Sequence, residues 1–254
     1  MKLQSAKRLM TAIAALSMLA IGQQAAASPV VYETGTGGGW YTTNNDQAMN
    51  TVFGNGNWTK SAGFTTALLT DAKFLFLDGG DDNSAQLASF LASNQTLLTN
   101  FVANGGRLYI NDAPNLGPAS FSLGFGVTLN WNNYTDASST ATVTAAGVAA
   151  GLTAGGNPTT YTGSYFSHAT VSGANLSDLV QGSQGIIFGA EQYGAGFAAF
   201  GGATDPIFQS AGGQQLLVNE LRYVENAQTV PEPATLGLVG LALCGIAAAR
   251  RKRA

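Results

Sequence analysis

The fold is decided by one short stretch, Lys73-Phe74-Leu75-Phe76-Leu77-Asp78, in which four consecutive apolar side chains include two phenylalanines. Such a run is typical of a β-strand that is buried on both faces, as in a parallel sheet. Apolar side chains at helical spacing follow, and Gly105-Gly106 ends that pattern. Residues 107–112 then predict a second strand. A strand, a helix and a strand with short joints predict a right-handed parallel crossover.

The helix of this unit carries its own signals. Asn83, with Gln86 three residues later, has the spacing of a capping box. Leu87 and Leu98 lie on one apolar stripe, which we expect residues 93–95 (Ser-Asn-Gln) to interrupt. The sequence therefore predicts two helical segments between the strands.

The remainder of the domain is predicted to add further strands and helices to this unit. A short helix is expected at 46–53 and a longer amphipathic one at 214–224. The pattern predicts an α/β fold with three layers, in which helices flank a mostly parallel sheet. Further strands are predicted at residues 127–131, 141–144 and 161–166, and as a pair at 185–189 and 196–201.

The amino terminus has the features of an export signal. Three basic residues precede an apolar run over residues 9–21, and Ala25-Ala26-Ala27 supplies a cleavage site of the A-x-A type. We predict a signal peptide over residues 1–27 with a helical apolar region, cleavage after Ala27, and export through the Sec translocon.

The carboxyl terminus has three consecutive parts. Pro231-Glu232-Pro233 precedes an uncharged run over residues 234–249, and Arg250-Arg251-Lys252-Arg253 follows it. As a helix the run would be about 24 Å long, against about 30 Å for the hydrocarbon core of a bilayer. We predict a transmembrane helix over 234–249 with its basic end in the cytoplasm. The residues alone also allow a plain tail anchor, which would leave a periplasmic domain attached to the inner membrane.

This order of parts resembles the PEP-CTERM sorting signal. The resemblance implies a Gram-negative bacterium that makes extracellular polysaccharide, and an exosortase-type cysteine protease that recognises Pro231, Glu232 and Pro233 and removes the helix. It further implies an inner-membrane intermediate and a final location at the outer surface or in the extracellular matrix.

These signals divide the chain into five segments. The exported region 28–229 carries four basic and thirteen acidic side chains, a formal charge of −9, which opposes binding to nucleic acid. The one cysteine, Cys244, lies in the apolar tail, so disulfides and thiolate chemistry are excluded from the exported domain. The predicted segments are a signal peptide (1–27), a globular domain (28–226), a linker (227–233), a transmembrane helix (234–249) and a basic tail (250–254).

The strand–helix–strand unit also resembles the core of the class I glutamine amidotransferase-like fold. Members of that fold hold a nucleophilic cysteine in the turn after a strand such as 107–112. This chain has Ala113-Pro114 after that strand and no cysteine in the domain. The resemblance therefore implies the fold without amidotransferase chemistry.

Two glycine-rich stretches do not match nucleotide-binding motifs. Residues 35–39 lack the glycine spacing of a dinucleotide fingerprint, and Thr59 replaces the glycine that a P-loop needs before its lysine.

Four acidic residues suggest a metal or ligand site, because turns at the carboxyl ends of parallel strands are where ligands bind. Oxygen-rich clusters bind calcium, whereas helix capping is the alternative role for these side chains. The residues are Asp78, Asp81, Asp82 and Asp112.

Two functions remain open from the sequence. The first is a non-enzymatic surface or matrix protein with affinity for extracellular polysaccharide, because aromatic side chains interleaved with Asn and Thr can stack on sugar rings. The second is a hydrolase of envelope polysaccharide or peptide, since glycoside hydrolysis needs two carboxyl groups. Candidates for sugar contact are Trp40, Tyr41, Trp58, Trp131 and Tyr134, and those for hydrolysis are Asp78, Asp112, Glu191 and His168.

Overall fold

The structure is a computed structural model of the chain. It describes residues 29–35, 40–80, 83–115, 120–131, 140–162, 165–209 and 211–227. The predicted signal peptide, the Pro-Glu-Pro motif, the predicted transmembrane helix and the basic tail lie outside the described residues. Within the described part of the chain, no helix is both long and apolar enough to cross a bilayer.

The described region contains twelve strands and four α-helices. The helices are α1 (Asn44–Phe53), α2 (Ser84–Ala103), α3 (Ala145–Ala149) and α4 (Gly213–Glu225). The strands are β1 (Val30–Thr34), β2 (Trp58–Ser61), β3 (Phe74–Asp78), β4 (Arg107–Asn111), β5 (Phe121–Gly124), β6 (Val127–Trp131), β7 (Thr140–Val143), β8 (Thr160–Thr162), β9 (Ala169–Ser172), β10 (Ser177–Gly182), β11 (Gly185–Tyr193) and β12 (Gly196–Gly201).

The sheet is mixed, so the predicted three-layer, mostly parallel sheet is wrong. Its main path runs β2-β1-β3-β4-β12-β11-β10-β7-β8, and only the pairs from β2 to β12 are parallel. The other pairs in the described region are antiparallel. The reason lies in the connections. Hairpin turns such as the one between β11 and β12 permit only antiparallel pairing, whereas parallel strands need a long crossover.

The strand–helix–strand unit forms with one continuous helix. β3 pairs with β4 in parallel register, and α2 connects them. The predicted interruption at residues 93–95 is wrong because these polar side chains face outward and leave the buried stripe intact. The predicted capping box is also wrong: Asn83 occupies the N-cap position but makes no side-chain cap hydrogen bond.

Helices cover both faces of the parallel half of the sheet. Side chains alternate along β3, so that Phe76 joins the cluster under α1 and α4 while Leu75 and Leu77 join the cluster under α2. Phe76 stacks between Tyr32 and Tyr109, at ring-centroid distances of 5.1 Å and 4.9 Å. Because the strands end together, their polar carboxyl-terminal residues meet at one edge.

Candidate functional site

The carboxyl ends of β1, β3 and β4 meet at one edge of the sheet, here called the carboxyl edge. Asp78 ends β3 and pairs in register with Thr34 of β1 and Asn111 of β4. It is 1 % exposed and accepts two amide hydrogen bonds. Asn45 Nδ2 donates to Asp78 Oδ2 at 2.8 Å, and Asn111 Nδ2 donates to Oδ1 at 3.2 Å. Both carboxyl oxygens therefore already have partners.

Asp112 lies at the strand end next to that of Asp78 and connects neighbouring elements of the fold. It is fully buried directly after β4, and Ser84 Oγ donates to its Oδ2 at 2.6 Å. A Cβ atom added to Gly79 would lie 1.9 Å from Asp112 Oδ1, so this close approach requires glycine. Asp112 thus ties the end of β4 to the first turn of α2 and to the turn that follows β3.

Both carboxyl groups are shifted toward the protonated form. Burial raises the pKa of Asp78 to about 7, and the hydrogen bond from Asn111 only partly opposes this shift. Burial also raises the pKa of Asp112 well above its ordinary value; the hydrogen bond from Ser84 lowers it, and the charge of Asp78 raises it further. Desolvation disfavours the charged form, so these acids are poor sources of negative charge below neutral pH.

The predicted calcium site gains no support from the described residues. Asp81 and Asp82 lie outside them, and within the described part of the chain no three His, Cys, Asp or Glu side chains gather around a common point. The structure does bring Asp78 and Asp112 to adjacent strand ends. Both oxygens of Asp78 and Oδ2 of Asp112 nevertheless accept hydrogen bonds from amide and hydroxyl donors, which fits the alternative role of fixing the turns.

A small cavity lies behind the carboxyl edge. Its volume is about 20 Å³, and its lining includes Trp40, Asp78, Asn111 and Glu220. Glu220 comes from α4 and accepts a hydrogen bond from Tyr109 Oη at 2.8 Å. Burial raises the pKa of Glu220 to about 8. A space of this size holds one water molecule and is too small for a sugar ring.

An exposed group of aromatic side chains lies beside this cavity. Trp40, which lines the cavity, has its ring centroid 5.6 Å from that of Phe208 and 5.9 Å from that of His168. On the other side of His168, the ring of Tyr165 lies 6.0 Å away. Tyr41 is 70 % exposed, Tyr165 45 % and Phe208 40 %. We call Trp40, Tyr41, Tyr165 and Phe208 the aromatic patch.

Asp205 joins the two chain segments that carry Trp40 and Phe208. Thr42 Oγ1 donates to its Oδ2 at 2.6 Å, and Asn44 Nδ2 donates to Oδ1. The backbone N–H of Ile207 donates to Oδ1 at 2.9 Å and starts the short 3₁₀ turn Pro206–Phe208. Asp205 is only 3 % exposed. Segments about 160 residues apart in sequence are thereby held together at the aromatic patch.

Two residues of the aromatic patch have unusual backbone conformations. Tyr41 has φ +54° and Tyr165 has φ +72°. Bulky residues rarely adopt positive φ, and such conformations persist at functional sites when the surrounding structure imposes them. Both tyrosines are exposed; Tyr41 directly follows Trp40 in the chain, and the ring of Tyr165 lies 6.0 Å from that of His168.

The residues predicted for hydrolysis do not form one site. His168 is 5 % exposed; burial lowers its pKa, and hydrogen bonds with the backbone of Ala113 and Pro114 oppose that shift. Glu191 lies on β11 in the antiparallel half of the sheet. Among the hydrolysis candidates, only Asp78 lines the cavity.

Two of the other predicted sugar-contact residues, Trp58 and Trp131, form hydrogen bonds within the protein. Trp58 Nε1 donates to Asn50 Oδ1 at 2.9 Å, and Trp131 Nε1 donates to the carbonyl of Pro114 at 2.9 Å. Tyr134 lies outside the described residues. Only Trp40 and Tyr41 of that group belong to the aromatic patch.

Sequence reasoning missed Asn45, Tyr165, Asp205 and Phe208. Each comes from a turn or helix start whose position in space depends on tertiary contacts. The one available signal was Asp205 directly before Pro206, a combination typical of a helix or turn start.

Several solved structures are similar to this chain at low identity. A GMP synthase subunit from Thermoplasma acidophilum is 9 % identical, with 78 % of this chain and 94 % of that one covered and a TM-score of 0.47. A β-galactosidase from Bacillus circulans sp. alkalophilus is 10 % identical (82 % and 33 % covered, TM-score 0.45). An exo-β-1,4-mannosidase from Opitutaceae bacterium strain TAV5 is 13 % identical (81 % and 36 % covered, TM-score 0.45). The chain spans about a third of the length of these two glycosidases. At these scores the similarities support no conclusion about activity.

Sequence comparison is informative at one end of the chain. No curated protein matches the chain. Residues 229–253 match the PEP-CTERM protein-sorting motif, which confirms the predicted resemblance of this end of the chain to the PEP-CTERM sorting signal. The chain therefore carries a PEP-CTERM signal, which indicates an exported protein that exosortase sorts to the cell surface.

Proposed function

We propose that this chain is a non-enzymatic surface or matrix protein whose exported domain binds extracellular polysaccharide through the aromatic patch. One observation carries the proposal: Tyr41 and Tyr165 are exposed and hold positive φ beside Trp40. Tyr41 directly follows Trp40, and the rings of Tyr165 and Trp40 both contact that of His168. Flat aromatic faces that are fixed before binding can stack on the apolar faces of sugar rings at a low entropy cost.

The neighbouring cavity supports binding over catalysis. It holds about one water molecule, so a sugar chain would have to widen the cavity before a glycosidic bond reached Asp78 or Glu220. Asp205 accepts three hydrogen bonds that position the patch, so its role is structural.

The proposal includes the route to the surface. The Sec translocon exports the chain, and exosortase then releases it from an inner-membrane intermediate.

Affinity electrophoresis tests this function. The exported protein is run through gels that contain the extracellular polysaccharide of the producing bacterium or neutral plant glucans and mannans. We expect retardation that is lost in a Tyr41→Ala/Tyr165→Ala double variant. Tyr193→Ala is the matched control, since Tyr193 is 37 % exposed but lies at the opposite edge, as the last residue of β11. Equal retardation of all three proteins would refute a role for the patch.

A hydrolase of envelope polysaccharide or peptide is the second candidate. The observation that favours it is the pKa of about 7 at Asp78, a value that suits a general acid. Release of reducing ends or of peptide from isolated envelope would support it, provided that Asp78→Asn abolishes the release. No release by the wild-type protein would exclude it for these substrates.

A further inference from the structure

The exported domain carries very few positive charges, and their positions bear on which polysaccharide the aromatic patch can accept. The sequence has four basic side chains between residues 28 and 229, and the structure describes all of them. They are Lys60, Lys73, Arg107 and Arg222. The aromatic patch lies at the carboxyl edge, so their distribution along the strands decides whether a cation can face a bound ligand.

Three of these cations lie toward the opposite edge of the sheet. Lys73 directly precedes β3, and Arg107 is the first residue of β4. Arg107 donates from Nε and Nη2 to the carbonyl of Ala227, at 3.3 Å and 3.2 Å, which brings the end of α4 to that same edge. Arg222 lies in the last turn of α4. None of the three is at the carboxyl ends of the strands.

The fourth cation is already paired. Lys60 Nζ lies 2.9 Å from Asp46 Oδ1 and 5.4 Å from the centre of the Tyr32 ring. A ligand carboxylate would have to compete with both contacts. His168, between Trp40 and Tyr165, adds no charge near neutral pH because burial lowers its pKa.

The other ionisable groups beside the patch are carboxyl groups. Asp205 accepts a hydrogen bond from Thr42, in the segment that carries Trp40, and Asp78 and Glu220 line the adjoining cavity. Burial raises the pKa of Asp78 to about 7 and that of Glu220 to about 8, which favours their neutral forms, and none of the three supplies a positive charge to a ligand. Proteins recognise carboxylate groups with arginine or lysine, and a carboxylate that loses water without gaining such a partner is destabilised. A neutral sugar has no such requirement, since it can stack on the rings and exchange hydrogen bonds with water.

We propose that the aromatic patch binds neutral glycans and rejects glycans that carry carboxylate groups, such as uronic-acid polymers. The inference rests on the polysaccharide binding proposed above and names its ligand class. The missing positive charge is local to the carboxyl edge, so a single positive charge introduced at that edge should permit an anionic polymer to bind, whereas a positive charge at the opposite edge should not.

The test is affinity electrophoresis of the exported protein with matched polymers. The neutral probes are hydroxyethylcellulose, galactomannan and glucomannan, and the anionic probes are carboxymethylcellulose, polygalacturonate and alginate. Each is tested at about 0.01 M and about 1 M NaCl, where the Debye length is about 30 Å and about 3 Å. We expect at least one neutral polymer to retard the protein at both salt concentrations, and no anionic polymer to retard it at low salt.

Two charge variants distinguish a local effect from net charge. Ile207→Lys adds a cation beside Phe208, at a position that is 58 % exposed. Gln192→Lys adds the same charge at the opposite edge, where Gln192 is exposed at the end of β11. We expect only Ile207→Lys to bind an anionic polymer at low salt.

Two results would overturn the neutral-ligand inference while leaving polysaccharide binding intact. One is an equal gain of anionic-polymer binding in both variants, and the other is low-salt binding of an anionic polymer by the wild type. Retardation by no polymer at all would overturn the binding function itself.

Discussion

The raised pKa values of two buried acids, Asp78 and Glu220, predict that the domain loses stability as the pH rises. Burial raises the pKa of Asp78 from 3.8 to about 7 and that of Glu220 from 4.5 to about 8. Between the unfolded and folded pKa values, the folded state retains protons that the unfolded state has released. The free energy of unfolding therefore falls with increasing pH across this window, and the contribution is complete below about pH 4 and lost above about pH 8.

The size of the effect follows from the two shifts. One pKa unit corresponds to about 1.4 kcal/mol, so Asp78 alone contributes about 4 kcal/mol and Glu220 a similar amount. Structural relaxation and water entry around an ionised carboxylate reduce the total, and we expect a net loss of about 3–5 kcal/mol. That is a large part of the ~5–15 kcal/mol that stabilises a typical domain.

Urea unfolding of the exported protein, followed by tryptophan fluorescence between about pH 5 and about pH 9, measures this loss. Glu220→Gln is the matched variant because the amide oxygen can still accept the hydrogen bond from Tyr109 but no longer titrates. We expect the variant to lose part of the pH dependence and to keep the rest, since Asp78 and the other buried acids with raised pKa values, Asp112 and Glu33, still titrate. A wild-type unfolding free energy that stays constant or rises between about pH 5 and about pH 8 would refute the reasoning.

Three substitutions test the packing and the patch. Phe76→Ala removes a fully buried ring between two tyrosines and should cost about 3–5 kcal/mol in urea unfolding; a loss below about 1 kcal/mol would contradict its place in the core. Gly196→Ala should cost about 1–3 kcal/mol because its Cβ would lie 2.0 Å from the carbonyl oxygen of Val102, whereas Gly63→Ala, with open space around it, should be neutral in the same assay. Asp205→Ala should reduce polysaccharide retardation more than Asp205→Asn, which keeps a hydrogen-bonding side chain; equal retardation of both variants and the wild type would show that Asp205 does not position the patch.

The sequence predicted local elements better than their assembly. The apolar run 74–77 and the apolar stripe on α2 identified the strand–helix–strand unit, because a strand that is buried on both faces has a continuous apolar sequence. The sequence contains no comparable signal for whether the later strands pair parallel or antiparallel. Short antiparallel strands and short parallel strands have similar local patterns, and β12 pairs with β4 although paired residues such as Arg107 and Phe197 are ninety positions apart.

The candidate site was also predicted only in part: the sequence indicated the acids at the strand ends but not the aromatic patch. Asp78 and Asp112 were predicted to share the carboxyl edge because adjacent parallel strands end together, and the structure has them there. The aromatic patch could not be assembled from the sequence, since Trp40 meets Phe208 only through the hydrogen bonds of Asp205. Positive φ at Tyr41 and Tyr165 is likewise imposed by tertiary contacts, because tyrosine has no intrinsic preference for that region.

Chemical labelling of tyrosine in the exported protein, read by peptide mass spectrometry with and without neutral polysaccharide, tests polysaccharide binding at the aromatic patch most directly. Tyr41, Tyr165 and Tyr193 are all exposed, and Tyr193 is the internal reference at the opposite edge. We predict that polysaccharide protects Tyr41 and Tyr165 and leaves Tyr193 unchanged. Unaltered labelling of Tyr41 and Tyr165, or equal protection of all three tyrosines, would contradict binding at the aromatic patch.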